Sequence, residues 1–365
     1  MRVAVVSESF LPQVNGVTNS VLRTIEHLEQ RGHTGLVIAP GPGAASHGAV
    51  QVLRSPSVPV PGYANFRLSR PWPGLRAALE NFQPDIVHLA SPAVLGAQAA
   101  YVARDLGIPA VAVYQTDLAG FAVRYGCSAL QRPLWNWIRR VHGLAQRTLA
   151  PSRDAVEQLL RHGIGGVHRW ARGVDLCRFD PYRRSTELRA QLAPNGEVLV
   201  GYVGRLAAEK QVDLLACLGD LPGVQLVIVG EGPRRAALTR KLPGARFLGL
   251  QHGAELAASF ASLDVFVHPG SNETFCQAAQ EALASGVPVV AASAGGLLDL
   301  VSPGENGLLF SPGSAVHLRE AVTALIADPA GRQAMGMAAR HSVQGRSWSV
   351  IGDQLIEHYR LAGAA

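Results

Sequence analysis

Val265-Phe266-Val267-His268-Pro269-Gly270-Ser271-Asn272-Glu273-Thr274-Phe275-Cys276-Gln277-Ala278-Ala279-Gln280-Glu281-Ala282-Leu283-Ala284-Ser285-Gly286-Val287-Pro288-Val289-Val290 is a complete strand–loop–helix–strand unit. Val265–His268 is apolar on both faces, as a parallel strand covered by helices must be. Pro269 to Asn272 is turn chemistry. The pattern then predicts a helix from Phe275 to Ala284, with Gly286 at C′ and Pro288 just beyond. A second strand follows over Val287–Ala291. Glu273 falls in the loop after the first strand and Glu281 about two turns into the helix. The neighbours Ala278, Ala282, Leu283 and Val287 predict burial there, where an unpaired carboxylate is costly.

The same alternation extends in both directions. In the second half, further strands read at Leu199–Val203 and Gln225–Val229. Helices read at Pro233–Lys241, Ala254–Ala261 and Val316–Ala327. In the first half, strands read at Val3–Val6, Thr34–Ala39, Ile86–Leu89, Ala110–Val113 and Thr148–Ala150. Helices read at Asn19–Gln30, ending at Gly32, and Ala93–Leu106, ending at Gly107. Such alternation predicts βαβ units and open, doubly wound parallel sheets, one in each half: an α/β protein with two Rossmann-like domains. Ser152 N-caps a helix at the close of the first sheet. Arg172-Gly173-Val174-Asp175 leads into a polar segment running from Pro181 to Asn195-Gly196. The switch is placed near 170–190, with the domains drawn as 1–170 and 171–345 and a terminal segment 346–365 with a helix over Val350–Leu361.

Composition narrows the class. The 365 residues are 48% apolar and 16% charged, which excludes a disordered chain. No apolar run approaches the roughly 20 residues of a membrane span. The start, Met1-Arg2-Val3-Ala4-Val5-Val6-Ser7-Glu8, reads as an immediate strand rather than a signal peptide, predicting a cytoplasmic protein. Cys127, Cys177, Cys217 and Cys276 are scattered and form neither a disulfide framework nor a zinc site. His168 and His252 lack partners at ligand spacing, and no HxxxH or DxD-like cluster occurs, so no metal is indicated. The net charge of +6 is uneven. Residues 1–170 hold 16 basic and 9 acidic residues, and residues 171–365 hold 17 and 18. A preference for Arg over Lys cannot produce that asymmetry, which leaves nucleic acid, an anionic membrane or an acidic substrate as partners.

Ligands of such sheets bind beyond the strand carboxyl ends, where helix N-termini offer free amides. Four loops qualify. Asn15-Gly16 precedes the first helix, and a glycine there lets the backbone approach a phosphate. The same dipeptide is common in plain turns. The first loop is not GxGxxG, which argues against a dehydrogenase. Gly204-Arg205 ends a strand, and Lys210, one of only two lysines in the chain, follows five residues later. Arg can bond two diphosphate oxygens while Lys acts as a compact charge. Glu273 and Glu281 flank the amides of Thr274, Phe275 and Cys276. Each carboxylate can accept from two vicinal hydroxyls, and the amides between them suit an anion. Tyr114-Gln115-Thr116-Asp117 is the fourth, with Gln115 and Asp117 as polar groups at a strand end.

These motifs resemble retaining glycosyltransferases of family 4 with the GT-B fold. Glu273 to Glu281 matches their E-x7-E motif. Gly204-Arg205…Glu209-Lys210, Val229-Gly230-Glu231-Gly232-Pro233, Ser285-Gly286-Val287-Pro288, Ala294-Gly295-Gly296 and Glu305-Asn306-Gly307-Leu308-Leu309 are similar too. Val113-Tyr114-Gln115-Thr116-Asp117-Leu118-Ala119-Gly120-Phe121 and Glu273-Thr274-Phe275-Cys276-Gln277 are most similar to actinobacterial GDP-mannose-dependent α-mannosyltransferases acting on glycolipids. The resemblance implies two Rossmann-like domains facing across a cleft, an amino-terminal acceptor domain and a carboxyl-terminal donor domain. It implies that the last helix crosses back to the first domain.

The resemblance also implies site roles. GDP-mannose is the donor and no metal or other cofactor is needed. Arg205 and Lys210 bind the diphosphate with the backbone at Gly16 and Phe275. Glu281 takes the ribose, Glu273 the sugar, and Cys276 sits near the phosphate. Base choice rests on backbone around Leu248. Asn15, Gln115 and Asp117 lie toward the acceptor and sugar, with Asp117 grouped with Arg205, Lys210 and Glu273 as catalytic. Many relatives have His where Gln115 stands; Gln is neither acid nor base, so it is assigned hydrogen bonding alone. The implied acceptor resembles glucuronosyl diacylglycerol or a phosphatidylinositol mannoside. The implied site is the inner face of the plasma membrane. Rival readings are a UDP-sugar transferase with a soluble acceptor, a GT-B nucleotide-sugar epimerase and a non-catalytic sugar-nucleotide-binding module. Nothing in the pattern fixes an oligomeric state.

Arg and aromatic residues interleave in two segments, suiting an anionic headgroup region. One holds Tyr63, Phe66, Arg67, Arg70 and Trp72. The other holds Arg124, Tyr125, Arg132, Trp135, Trp137, Arg139 and Arg140. Trp135 and Trp137, two apart on a helix, cannot face the same way. No nucleic-acid motif accompanies them. Because Arg205 and Lys210 lie in the nearly neutral half, the donor does not account for the excess charge of the first. Replacing Arg124, Arg139 and Arg140 by Gln is therefore expected to weaken binding to anionic liposomes at least about tenfold, at roughly 1 kcal/mol per basic side chain. Donor affinity is expected to stay nearly unchanged. Co-sedimentation at low and high salt, beside donor titration, reads both.

Overall fold

The computed structural model describes residues 1–365 except Val14, Pro61, Gly62, Tyr125 and Ala365; for residues 60, 63–66, 121 and 124 it describes the backbone alone. The chain forms two compact units, Met1–Gly173 with Trp348–Ala365, and Val174–Ser347.

The first unit is built on strands β1 (Arg2–Val6), β2 (Thr34–Pro40), β3 (Ser46–His47), β4 (Val50–Ser55), β5 (Ser57–Val60), β6 (Tyr63–Ser69), β7 (Ile86–Leu89), β8 (Ala110–Val113), β9 (Arg147–Ala150) and β10 (Val167–Arg169). Its main sheet runs β10-β9-β8-β7-β1-β2-β4-β3. It is parallel except where β3 turns back antiparallel on β4. Successive side chains of a strand point to opposite faces. Val3 and Val5 therefore join one core, with Val21, Ile25 and Leu28 of helix Gly16–Gln30 and with Ile351, Leu355 and Tyr359 of helix Trp348–Gly363. Ala4 and Val6 join the other, with Leu75 and Leu79 of helix Gly74–Phe82 and Ala99, Ala100 and Ala103 of helix Leu95–Asp105. The terminal helix is thus integral to this unit. Tyr359 and His88 hydrogen-bond at 2.7 Å between Oη and Nδ1. Complete burial lowers the His88 pKa to about 3.

The second unit carries β11 (Val198–Val203), β12 (Val224–Val229), β13 (Arg246–Gly249), β14 (Val265–His268), β15 (Val289–Ala292) and β16 (Gly307–Phe310). They run β13-β12-β11-β14-β15-β16, all parallel. Both sheets reverse strand order beside their first strand. In the first unit β1 has β2 on one side and β7 on the other. In the second β11 lies between β12 and β14. Such a switch point opens a crevice at the strand carboxyl ends, because the crossovers on its two sides leave to opposite faces.

Several local expectations are corrected. The helix expected from Phe275 begins at Gln277. Gly296 N donates to Glu273 O at 2.7 Å, and the Gly295–Gly296 backbone lies against Glu273, Thr274 and Phe275 so closely that a Cβ on either glycine would meet backbone oxygen within 2.6 Å. That contact holds the segment out of the helix. The strand after it is Val289–Ala292, not one beginning at Val287, and the first helix starts at Gly16 rather than Asn19. The polar stretch after Pro181 contains a helix, Thr186–Leu192, capped by Ser185 Oγ. The β5–β6 hairpin was not expected. Trp135 is buried and Trp137 exposed, as their spacing requires.

Candidate functional site

In the second unit, β11 and β14 are direct neighbours, with Val200 opposite Val265 and Gly201 opposite Phe266. Their carboxyl ends therefore open side by side. After β11 the chain passes Gly204 and Arg205 and makes a short turn, Ala208–Lys210. Tyr202, fully buried on β11, donates its hydroxyl to Arg205 O at 3.0 Å and fixes the backbone of this turn. After β14 the loop carries Gly270 against the Lys210 backbone, where a Cβ would stand 3.3 Å from Lys210 Cα. The loop then delivers Glu273 to Lys210.

Glu273 is the centre of the site. Lys210 Nζ lies 2.5 Å from its Oε1, and His268 Nε2, on the last residue of β14, lies 2.9 Å from the same atom. Burial alone would raise the Glu273 pKa; Lys210 and His268 outweigh it and hold the carboxylate at about 2. Burial likewise opposes charge on Lys210, but Glu273 raises its pKa above the ordinary value. For His268 burial again disfavours the cation, while Cys276 and Glu273 beside it raise its pKa to about 9. Carboxylate, ammonium and imidazole thus form a pre-set charged unit.

His268, Glu273 and Cys276 bring a ring nitrogen, a carboxylate oxygen and a thiol within 4.8 Å of one another, and among the described residues they are a group able to hold a metal ion. The Lys210 ammonium already rests on the glutamate oxygen such an ion would take, and a cation there repels a second one. The donor set therefore does not fit a resident metal as it stands.

The other residues of the second unit fall as follows. Arg205 is exposed and faces Glu209 at 3.9 Å. Phe275 and Cys276 are buried, with Cys276 at the cap of the helix carrying Glu281. Glu281 is half-buried on that helix, where Ala279, Ala282 and Leu283 face the core. Leu248 lies half-buried in β13.

In the first unit, Asn15 and Asp117 have fold-level work. Asn15 Oδ1 caps the first helix by accepting from Val17 N and Thr18 N, both at 3.0 Å. Asp117 Oδ1 accepts from Gly120 N at 2.8 Å and from Tyr114 Oη at 3.1 Å. Gly16 is the first residue of its helix. Gln115 donates through Nε2 to Ala90 O at 2.8 Å.

The two segments of the expected membrane face differ. Arg67 is turned into the fold, donating to Gly41 O, Ser57 Oγ and Ser57 O at 2.8–3.0 Å. Trp72 packs on the core, and its backbone is clamped by Gln98. These two, both half-exposed, hold the β5–β6 hairpin and the following helix in place. Tyr125 lies outside the described residues, as do the side chains of Tyr63, Phe66 and Arg124. Arg139 and Arg140 are exposed.

Sequence reasoning missed His268, although it is the last residue of the strand that opens the quoted unit. It missed Glu8, buried after β1, whose Oε1 accepts from Leu95 N. It also missed Arg172, which donates to Gly16 O and Gln115 Oε1.

Two family models match. Glycosyltransferase Family 4 covers residues 14–178 and Glycosyl transferases group 1 covers 184–342. The chain is 52% identical to a GDP-mannose-dependent alpha-mannosyltransferase of Mycolicibacterium smegmatis, covering 98% of this chain and 97% of that one. It is 30% identical to a GDP-mannose-dependent alpha-(1-6)-phosphatidylinositol dimannoside mannosyltransferase of Mycobacterium tuberculosis, covering 83% of this chain and 82% of that one. Among solved structures, Anabaena Alr3699/HepE in complex with UDP superposes with a TM-score of 0.83 at 20% identity, covering 99% of this chain and all of that one, which establishes the shared fold.

Breaking a buried ion pair from one side leaves an uncompensated charge. Lys210→Met is therefore expected to cost roughly 3 kcal/mol near neutral pH in urea unfolding, and Lys210→Met/Glu273→Gln to recover most of it. The Glu273 pKa in the folded wild type, about 2, lies below the ordinary 4.5, so its stabilisation is present above 4.5 and lost as pH falls toward 2. In Lys210→Met the carboxyl can take a proton instead, so the deficit should shrink below about pH 4.5. A loss under about 0.5 kcal/mol at neutral pH contradicts the geometry of the pair.

Proposed function

The chain belongs to the glycosyltransferases that join a Family 4 amino-terminal half to a group 1 carboxyl-terminal half in a GT-B fold, and from that premise we propose that it transfers α-mannose from GDP-mannose to a glycolipid hydroxyl with retention of configuration. The observation that carries the donor assignment is the 52% identity over nearly the whole chain to a GDP-mannose-dependent α-mannosyltransferase.

The charged groups supply the chemistry. Arg205 and Lys210 take the donor diphosphate and neutralise the charge that grows on it as the glycosidic bond breaks. Electrostatic stabilisation of this kind usually contributes more to the rate than any other single effect. Glu273, held ionised, accepts hydroxyls of the mannose, and Glu281 those of the ribose. The backbone at Phe275 completes the phosphate contacts. The acceptor oxygen bonds to the anomeric carbon on the face the diphosphate leaves, and its proton passes to the departing phosphate. A double-displacement scheme needs a carboxylate free to attack, whereas Glu273 is committed to Lys210 and His268. No resident metal takes part.

A relative and a basic, partly apolar surface support the lipid acceptor and the membrane-bound position. The related phosphatidylinositol dimannoside mannosyltransferase acts on a lipid. Residues 118–142 hold four arginines and no acidic residue. Val123, Leu130 and Trp137 are exposed there. Arg132, Arg139 and Arg161 line a cavity of about 530 Å³ beside Trp135, suited to anionic headgroups. No described helix is long and apolar enough to cross a membrane; the attachment proposed, at the inner face of the membrane, is peripheral.

A donor-by-acceptor assay with purified protein, GDP- and UDP-sugars and membrane lipid extract tests this reading. GDP-mannose with a lipid acceptor should give product with the α-configuration by NMR. Arg205→Ala and Lys210→Ala should each lower turnover by about a hundredfold or more. Preference for a UDP-sugar, conversion of the donor with no acceptor, or turnover within a few-fold of wild type in both variants contradicts it.

A further inference from the structure

Parallel strands need crossovers that return the chain to the amino end of the sheet. Helix Gln131–His142 makes that return before β9, and helix Arg153–Arg161 makes it between β9 and β10. Ser152 caps the second helix just after β9, so Arg161, with His162 and Gly163 beyond it, lies toward the amino ends of the strands. The nine residues of that helix span about 13 Å.

The cavity of about 530 Å³ is lined by both helices. Arg132, Trp135, Asn136 and Arg139 line it from the first helix, at a spacing that puts them on one face. Arg161 and His162 line it from the second. Trp135 is buried and stacks on His162, with ring centroids 3.6 Å apart and planes at 11°. Arg139 Nη2 donates to Asn136 Oδ1 at 3.2 Å, and Arg161 Nε to Glu157 O at 3.3 Å. Each bond is to a neutral oxygen, so it orients the guanidinium without cancelling its charge. Exposed arginines elsewhere in the unit face acids, as Arg31 does Asp353 and Arg104 does Asp105. No Asp or Glu is among the residues lining this cavity. Three cations in one cavity repel one another, and an anion among them relieves the repulsion. The guanidinium fork suits a phosphate.

What adjoins the cavity selects the anion. Leu130 and Trp137, seven residues apart, fall on the next face of the first helix, and both are exposed. Leu160 is exposed on the second helix beside Arg161. Large apolar side chains beside a cationic cavity match a bilayer, whose acyl boundary takes the first and whose phosphate level takes the second. A nucleic-acid strand needs aromatic rings on which bases can stack, whereas the ring inside this cavity is already covered by His162.

We propose that the cavity binds the phosphate of an anionic bilayer phospholipid, as an anchoring site separate from the place where the acceptor reacts. Substrates of a doubly wound sheet meet its carboxyl ends, and Arg139, Arg161 and His162 lie toward the other end. The proposal deepens the transferase reading and rests on it for what the anchor serves: it keeps the enzyme on the surface that holds its lipid acceptor.

The test uses the full-length protein, with Arg132→Gln/Arg161→Gln as the cavity variant. Arg140→Gln removes an exposed arginine of the same helix that does not line the cavity. Dioctanoyl phosphatidylglycerol, kept monomeric, is titrated by calorimetry, because a single lipid reads a local site rather than the field of a surface. One lipid per chain is expected, weakened at least about tenfold in the cavity variant and changed less than about twofold in Arg140→Gln. Co-sedimentation with phosphatidylcholine vesicles, with and without phosphatidylglycerol, should show a preference for the anionic vesicles that the cavity variant loses. GDP affinity should stay unchanged. Arg132→Lys/Arg161→Lys keeps the charge without the fork and should fall between wild type and the Gln pair. It also reads the site should the Gln pair fail to fold. Equal weakening by Arg140→Gln overturns the site. So does inorganic phosphate binding as tightly as the lipid while anionic vesicles do not bind, or an oligonucleotide binding in preference to them. If the wild type binds lipid through the cavity but transfers no mannose, the transferase reading fails and the site stands. If it transfers mannose to detergent-dispersed glycolipid but binds no monomeric phospholipid, the site fails and the reading stands.

Discussion

A carboxylate between two cationic groups organises the second unit. Glu273 is almost fully enclosed, and an isolated charge there would be driven to protonate. Lys210 and His268 reverse that tendency and hold it ionised. The arrangement exists only because β11 and β14 are neighbours: one contributes the turn that ends at Lys210, the other ends in His268 and continues to Glu273. Around it, Gly270, Gly295 and Gly296 allow backbones to approach where a side chain would collide. The same contact that positions Glu273 delays the following helix to Gln277. Site geometry and local folding are thus one constraint.

The first unit solves a different problem with the same sheet logic. Its loops at the switch point hold few charged groups, and Asn15 and Asp117 commit side-chain oxygens to capping helices. A cation arrives there from the end of the unit's chain, as Arg172, and joins three loops. The terminal helix secures the approach by accepting from Trp170. Removal of that helix would take away Ile351, Leu355 and Tyr359 and expose the core they cover, Val21, Ile25 and Leu28 included.

Strands of both sheets were legible because apolar runs bounded by glycine and proline are local signals, and the strand order then places Gly16, Arg205 and Glu273 at ligand-binding ends. The E-x7-E spacing and the following glycines were legible for the same reason. His268 was adjacent to a motif yet silent, since an apolar strand ending in His reads as ordinary core until its partner is known. Arg172 reads in the sequence as part of a connector, since two of its partners lie 57 and 156 residues away. The contacts of Arg67 and Trp72 are silent in the sequence because the hairpin beside them depends on pairing that no short-range pattern encodes. The charge asymmetry was legible as arithmetic; sorting its arginines into clamps such as Arg67 and exposed groups such as Arg139 and Arg140 required the folded chain.

In the proposed transfer, donor recognition rests on a Lys210–Glu273 pair that stays charged through the whole working range. Titration of GDP-mannose into the full-length protein by calorimetry between pH 4 and pH 8 reads the state of this pair, because the donor diphosphate does not itself titrate there. Nearly constant affinity is expected, with Glu273 ionised above about pH 2 and Lys210 protonated beyond its ordinary 10.5. A loss of affinity with a midpoint near the ordinary carboxylate value of 4.5 would contradict it.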